Sequence, residues 1–172
     1  MIIVVEGLDK TGKSTIIQDL TSLHSGAVVF KLSQKPFDNS EKEIQKVKTS
    51  YVELFNQARK LSKKGFVVIF DRAYPSELVY SIKRGYDAFS DPFWIQLDHD
   101  LANDISILYC TAKKETIVKR FLEQKEDYAK EEEISLLLER YQKFISMTLV
   151  PVTTIDTDLP RETNYQQLSD LY

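Results

Sequence analysis

Apolar residues gather in five short runs, at 2–5, 27–32, 66–70, 105–110 and 153–155, made mostly of Val and Ile. They lack the polar alternation of a half-exposed strand, which predicts a central parallel sheet buried on both faces. Helical patterns separate the runs. Residues 13–24 carry Ile16, Leu20 and Leu23 on one face, and residues 40–64 carry Ile44, Val47, Tyr51, Leu54, Ala58 and Leu61 at alternating steps of three and four. Further helices are expected over 92–102, 113–124 and 134–147, and Pro160 opens a last one near its first turn. Alternation of this kind implies right-handed crossovers and a doubly wound α/β fold. No repeat or low-complexity linker interrupts the chain, so one domain over 1–172 is expected. The tract 123–133, rich in Glu and Lys, reads equally as a solvated helix or loop and as a mobile lid, here taken over about 121–133.

The chemistry starts where the first strand ends. Gly7-Leu8-Asp9-Lys10-Thr11-Gly12-Lys13-Ser14 matches G-x-x-x-x-G-K-[ST] in full, with a strand running in and an amphipathic helix running out. Glycines let the backbone wrap closely enough for successive N–H groups to surround phosphate oxygens. The helix N-terminus adds partial positive charge. Lys13 brings a point charge to the outer phosphates, and the Ser14 hydroxyl is a ligand for Mg2+.

The third run leads into Asp71-Arg72, then Ala73-Tyr74-Pro75-Ser76-Glu77. Functional groups of open α/β sheets sit just beyond the carboxyl ends of strands. Asp71 is therefore expected beside the phosphate loop, holding Mg2+ through water or orienting an attacking hydroxyl. Arg72 is expected to clamp phosphate with its fixed fork of donors. A helix-capping Asp beside a surface Arg is the plainer alternative.

Composition narrows the partners. A net charge of −3 argues against a protein held on nucleic acid by bulk electrostatics. Cys110 is the only cysteine and lies in an apolar run, which excludes disulfides and cysteine-rich metal sites and suggests a buried, inert thiol. No apolar run approaches the ~20 residues of a membrane span, and none reads as a signal peptide, so a soluble, cytoplasmic protein is expected. A GTPase switch would need a downstream D-x-x-G and an N-K-x-D. None of Gly26, Gly65 and Gly85 has an Asp three residues before it, and N-K-x-D is absent.

Taken in order, V-E-G-L-D-K-T-G-K-S-T (ending at Thr15), L-F-N-Q-A-R, D-R-A-Y-P-S and K-E-D-Y resemble the thymidylate kinase family of nucleoside monophosphate kinases. The resemblance implies transfer of the γ-phosphoryl of ATP to a thymidine nucleotide, with Mg2+, on a five-stranded parallel sheet with a lid. It implies that Asp9 holds the sugar 3′-hydroxyl and that Lys10 carries catalytic charge in the phosphate loop. It further implies that Phe55 and Arg59 stack on and hydrogen-bond the pyrimidine, with Asp71 and Arg72 at the metal and phosphates. Ser76 and Tyr80 would face the nucleoside, Arg120 the donor adenine, and Glu126 and Tyr128 the acceptor from the lid. Helix geometry agrees for Phe55 and Arg59: four residues apart, they share one face at the rim of the apolar stripe, where side chains can face a cleft. The residues alone also allow a core Phe and a solvated Arg.

Two departures bear on the acceptor. The family's F-P-x-R is replaced by Phe30-Lys31-Leu32-Ser33, leaving Lys31 or Lys35 as substitutes without a bidentate fork, and the lid arginine is Asp127. The expected activity is ATP- and Mg2+-dependent phosphorylation of a deoxypyrimidine nucleoside monophosphate, dTMP or a 5-substituted analogue. A deoxynucleoside, or a hydroxyl-bearing base in DNA, stays open as acceptor, and nucleic acid is a partner only under that alternative. A non-enzymatic nucleotide-binding module is the reading from another class. A homodimer is left open.

Overall fold

The structure, a computed structural model, describes residues 1–31, 40–123 and 131–172. Five strands, β1 (Ile2–Glu6), β2 (Val28–Lys31), β3 (Val68–Asp71), β4 (Ser106–Thr111) and β5 (Val152–Asp156), form one sheet in the order β2-β3-β1-β4-β5. Every pairing is parallel. Among the described residues seven α-helices accompany them: α1 (Lys13–Leu23), α2 (Glu41–Lys63), α3 (Tyr74–Tyr80), α4 (Pro92–Leu101), α5 (Lys114–Glu123), α6 (Glu131–Met147) and, after the last strand, α7 (Arg161–Leu171).

Strand periodicity divides the core in two. Along β1, Ile2 and Val4 point to one face and Ile3 and Val5 to the other. The first face packs Val47, Tyr51 and Phe55 of α2, Leu78 of α3, Trp94 of α4 and Tyr141 of α6. The second packs Ile16 and Leu20 of α1 and Leu168 of α7. All of β1 is buried because it lies at the centre of the sheet. β2 departs from the continuous burial expected of it. It is an edge strand, and Val29 is exposed while Phe30 stacks on Phe70 at 5.3 Å. Cys110 is fully buried, and burial pushes its thiol up to about 12, consistent with inert packing. No helix among the described residues is long and apolar enough to cross a membrane.

The short helix α3 has no periodic signature in the sequence. Its N-cap residue, Ala73, offers no capping side chain. The cap comes from another element: Glu6 Oε1, at the end of β1, accepts the N–H of Ala73 at 2.7 Å and of Ser76 at 3.3 Å. A carboxylate at a helix start satisfies orphan donors and meets the positive end of the dipole. Glu6 thereby fixes the helix after β3 against the loop after β1.

Candidate active site

The loop between β1 and α1 is shaped by close backbone approach. Gly7 has φ 139°, and a Cβ there would lie 2.2 Å from the carbonyl oxygen of Cys110, so only glycine fits beside β4. Gly12, at φ 78°, turns the chain into α1, and Ile16 N–H donates to its carbonyl at 3.3 Å. Lys10 also takes a left-handed φ of 66°. Inside the loop the Leu8 carbonyl accepts from Thr11 Oγ1 and from Lys13 Nζ, each at 2.7 Å. Lys13 is buried. Desolvation, with the Arg72 charge adding to it, lowers its ammonium to about 8 against the opposing pull of Asp9 and Glu6. The lysine is thus folded back on its own loop.

Arg72 follows β3 in the left-handed region at φ 67°, its N–H donating to Val5 O at 3.0 Å. Such a conformation in a non-glycine residue costs on the order of 1–3 kcal/mol and persists only where the surroundings over-determine it. Here they do. Nη1 donates to Ser76 Oγ and to the Tyr141 hydroxyl at 3.1 Å each, Nη2 donates to Asp9 Oδ1 at 2.5 Å, and the guanidinium lies 5.2 Å from the Tyr80 ring centroid. Burial opposes the charge, but Tyr141, Tyr80, Asp9 and Glu6 together hold the guanidinium above its ordinary value. Burial likewise acts to raise Asp9, yet Arg72 and Lys13 hold its carboxyl below the usual range.

Behind Arg72 lies a network that the motifs did not signal. Ser76 Oγ donates to Glu6 Oε2 at 2.8 Å. The Tyr141 hydroxyl, fully buried on α6, is 3.1 Å from both Glu6 Oε2 and Gly7 O. Glu6 stood in the quoted motif only as the residue before the first glycine. Tyr141 lay within the helix expected over 134–147, with nothing to single it out. A buried carboxylate needs hydrogen-bond partners, and this one has them from three residues, Ala73 and Ser76 at the start of α3 and Tyr141 of α6.

These groups open onto a cavity of about 1190 Å³. Leu8, Asp9, Lys10, Gly12, Lys13, Ser14 and Thr15 line it from the loop; Gly7 and Thr11 shape the loop behind them. Asp71, Arg72, Ser76 and Tyr80 line the side after β3, joined by Lys31, Tyr51, Glu77 and Arg84. Thr157, Leu159, Arg161 and Asn164 line the other side with Arg120. Arg120 binds Lys10 O at 3.0 Å and Thr157 O at 3.1 Å, tying α5 to the phosphate loop.

Two assignments are corrected. Phe55 does not face the cavity. It is 1% exposed and packs on Phe70 and Tyr74 at 5.1 and 6.2 Å between ring centroids. Arg59 faces away, its Nε donating to Asp104 Oδ2 at 2.7 Å and its Nη2 to Asp100 O at 2.9 Å. The residue of α2 that reaches the cavity is Tyr51, one turn earlier. α2 is rotated so that the stripe containing Phe55 meets the sheet, and a rim position read at 100° per residue does not resolve that rotation. Lys35, Glu126, Asp127 and Tyr128 lie outside the described residues, as does most of the expected lid.

Ser14 and Asp71 fit Mg2+. Both line the cavity; Ser14 is exposed, and Asp71 makes a loose ion pair with Lys31 at 3.9 Å. A hydroxyl and a carboxylate are hard oxygen donors, and Mg2+ takes one or two such protein ligands and completes its shell with water and phosphate oxygens. Among the described residues no cluster of three or more His, Cys, Asp or Glu is placed to hold a metal by itself.

No family model matches the sequence, and no curated protein matches it. Solved structures do match in fold. The YorR protein from Bacillus subtilis, in complex with phosphorylated GDP, superposes with a TM-score of 0.79 at 20% identity over 99% of this chain and 95% of that one. Deoxyadenosine kinase from M. mycoides, with products dCMP and a flexible dCDP bound, gives 0.66 at 19% identity over 99% and 98%. Thymidylate kinase from Candida albicans gives 0.64 at 19% identity over 99% and 89%. The five-stranded parallel sheet, the G-x-x-x-x-G-K-[ST] loop after its central strand and these likenesses together show that the chain shares the α/β fold of these proteins.

Proposed function

We propose that the protein transfers the γ-phosphoryl group of ATP, with Mg2+, to a deoxypyrimidine nucleoside monophosphate. The observation that carries this reading is the convergence of Lys13 and Arg72, from opposite sides, on one cavity larger than the ~300–1,000 Å³ of a typical single-ligand site. One side, along the phosphate loop and the Thr157–Asn164 wall, receives the donor. The other, along Arg72 and α3, receives the acceptor.

Phosphoryl transfer asks for alignment and charge neutralisation rather than covalent chemistry. Lys13 leaves the Leu8 carbonyl for the outer phosphates, and the loop's N–H groups hold them. Ser14 and Asp71 would hold Mg2+, which would supply further charge neutralisation. Arg72, pre-set by Tyr141, Ser76 and Tyr80, meets the transferring or accepting phosphate, and Lys10 lends charge from the loop. Asp9, released from Arg72 by that anion, is left for the sugar hydroxyl.

An acceptor phosphate suits this arrangement better than an unphosphorylated hydroxyl. Asp9, the carboxylate paired with Arg72, is held below the usual range, which makes it a poor base. A phosphate acceptor is already ionised and needs none. Lys31, Arg72, Lys83 and Arg84 all line the acceptor side, where an anion would be received. Base choice has to rest on residues other than Phe55 and Arg59. A phosphate-transfer screen with ATP and Mg2+ over nucleosides, nucleoside monophosphates and modified DNA tests the reading. A monophosphate should outcompete its nucleoside; a nucleoside or DNA strand used in preference would overturn it.

A further inference from the structure

The second turn of the phosphate loop stands in a conformation that its own residue disfavours. Thr11 N–H donates to Leu8 O at 3.4 Å, closing a turn whose third residue is Lys10, at φ 66°. That position takes positive φ most readily with glycine or asparagine. A lysine keeps it only where the surroundings over-determine it. Arg120 of α5 supplies such a constraint from outside the loop. Its Nη1 donates to Lys10 O at 3.0 Å and to Thr157 Oγ1 at 3.2 Å, and its Nη2 donates to Thr157 O at 3.1 Å. Thr157 is itself fixed: its N–H and Oγ1 both donate to Thr111 O at the end of β4, at 2.8 and 3.0 Å. Its methyl lies against Gly12, where an added Cβ would be 3.1 Å away.

We infer that Arg120 is a positioning residue that holds the phosphate loop in its anion-receiving shape, and so acts on the donor's phosphates without touching the donor's base. The inference rests on the donor-side reading above. A peptide group is planar and trans, so a carbonyl held on one side fixes the N–H on the other. Arg120 draws Lys10 O outward, and the Thr11 N–H is thereby turned into the loop. A guanidinium suits this task because its rigid fork spans two carbonyls at once, which a compact ammonium does not. At the other end of the loop, Gly7 is held against Cys110 O of β4 and the Tyr141 hydroxyl. The loop is thus gripped at both ends, and the Arg120 grip can be released without opening the core, since its side chain is 30% exposed. Contact with the donor adenine, the role that the family resemblance gives Arg120, predicts a dependence on the base that this role does not.

Equilibrium titration with Mg2+ and no acceptor tests this, with ATP and inorganic tripolyphosphate as the two ligands. Tripolyphosphate offers the phosphates and no base. Arg120→Ala should weaken both ligands by the same factor, about tenfold, the size to which the ordinary cost of a left-handed residue converts. Arg120→Lys should lose as much as Arg120→Ala, because it keeps the charge and not the fork. In a Lys10→Gly background the Arg120→Ala penalty should shrink to about threefold or less, since glycine takes the turn without strain. Should Arg120→Ala fail to fold, Thr157→Val keeps the shape and removes the Oγ1 that accepts from Arg120; it should weaken both ligands together by about threefold. A loss confined to ATP, in either variant, would place the contact on the nucleoside and overturn the inference. Binding restored by Arg120→Lys would make the residue a plain charge and overturn it too. So would lowered stability with both affinities unchanged, or equal Arg120→Ala penalties with Lys and with Gly at position 10. Failure of the wild-type protein to bind either ligand overturns the donor reading itself, and this inference with it.

Discussion

Arg72 donates to the hydroxyl of Tyr141 at 3.1 Å, and that contact joins the residue after β3 to a helix 69 positions later in the chain. The same hydroxyl meets Glu6 and the Gly7 carbonyl, so one buried oxygen sets the relation between Arg72 and the phosphate loop. Tyr141→Phe removes it with little change in shape. Because Arg72 keeps Ser76, Asp9 and the Tyr80 ring, it should stay near its place with more freedom. We expect kcat to fall about 10- to 100-fold, less than the ~10²–10³ of deleting a transition-state donor itself. KM for ATP should change little, and stability should drop by about 1–3 kcal/mol as Glu6 loses a partner. Unchanged kcat in a folded Tyr141→Phe protein would show that Arg72 needs no such support.

Gly7 tests the loop without touching its charges. Its φ of 139° is accessible in practice to glycine alone, and an added Cβ meets the Cys110 carbonyl oxygen at 2.2 Å, backbone against backbone. Neither side can yield without moving β1 or β4. Gly7→Ala should cost about 2–5 kcal/mol through backbone strain and overpacking, and ATP binding should be lost even where the protein stays folded. Thermal unfolding and nucleotide titration of the variant check both parts; retained binding would mean that the loop tolerates a shifted Gly7.

Phe55 and Arg59 separate a core role from a ligand role. Phe55→Ala should destabilise the fold by about 3–5 kcal/mol, the cost of deleting a buried aromatic side chain. Arg59→Ala, on the surface beside Asp104, should leave the relative kcat/KM of thymine and cytosine acceptors unchanged. A change in that ratio for Arg59→Ala would return the residue to the acceptor site and move α2 with it.

Much of this architecture was legible in the apolar runs, because strands buried on both faces leave little doubt about a parallel sheet and the phosphate-loop motif names its own position. Asp71, Arg72, Ser76 and Tyr80 fall on the cavity because the end of a parallel strand leads there whatever the side chains. Glu6 and Tyr141 were hidden for a physical reason. Their roles come from contacts across 135 positions, and nothing local distinguishes a buried acid that caps a distant helix from one that ends a strand. Phe55 misled because a residue at the rim of a helical stripe turns into core or cleft with a small rotation of α2.

Lys13 should give the site a pH dependence of defined sign. In the ligand-free protein desolvation, aided by Arg72, lowers its ammonium to about 8 from the ordinary 10.5. Between those values the unfolded chain holds the proton and the folded one does not. This residue's contribution to stability therefore rises with pH from about 8 to 10.5, and below 8 its full penalty stands. Binding reverses the balance, since triphosphate oxygens favour the charged form and pull the ammonium back up. ATP binding above pH 8 should then take up a proton, and affinity should fall as pH rises from 7 to 9. Calorimetry in two buffers of different ionisation enthalpy measures the uptake directly. Lys13→Ala should abolish it, lower turnover by orders of magnitude, and relieve the stability penalty of a buried charge at neutral pH. Proton uptake that persists in Lys13→Ala would assign the titration to another group.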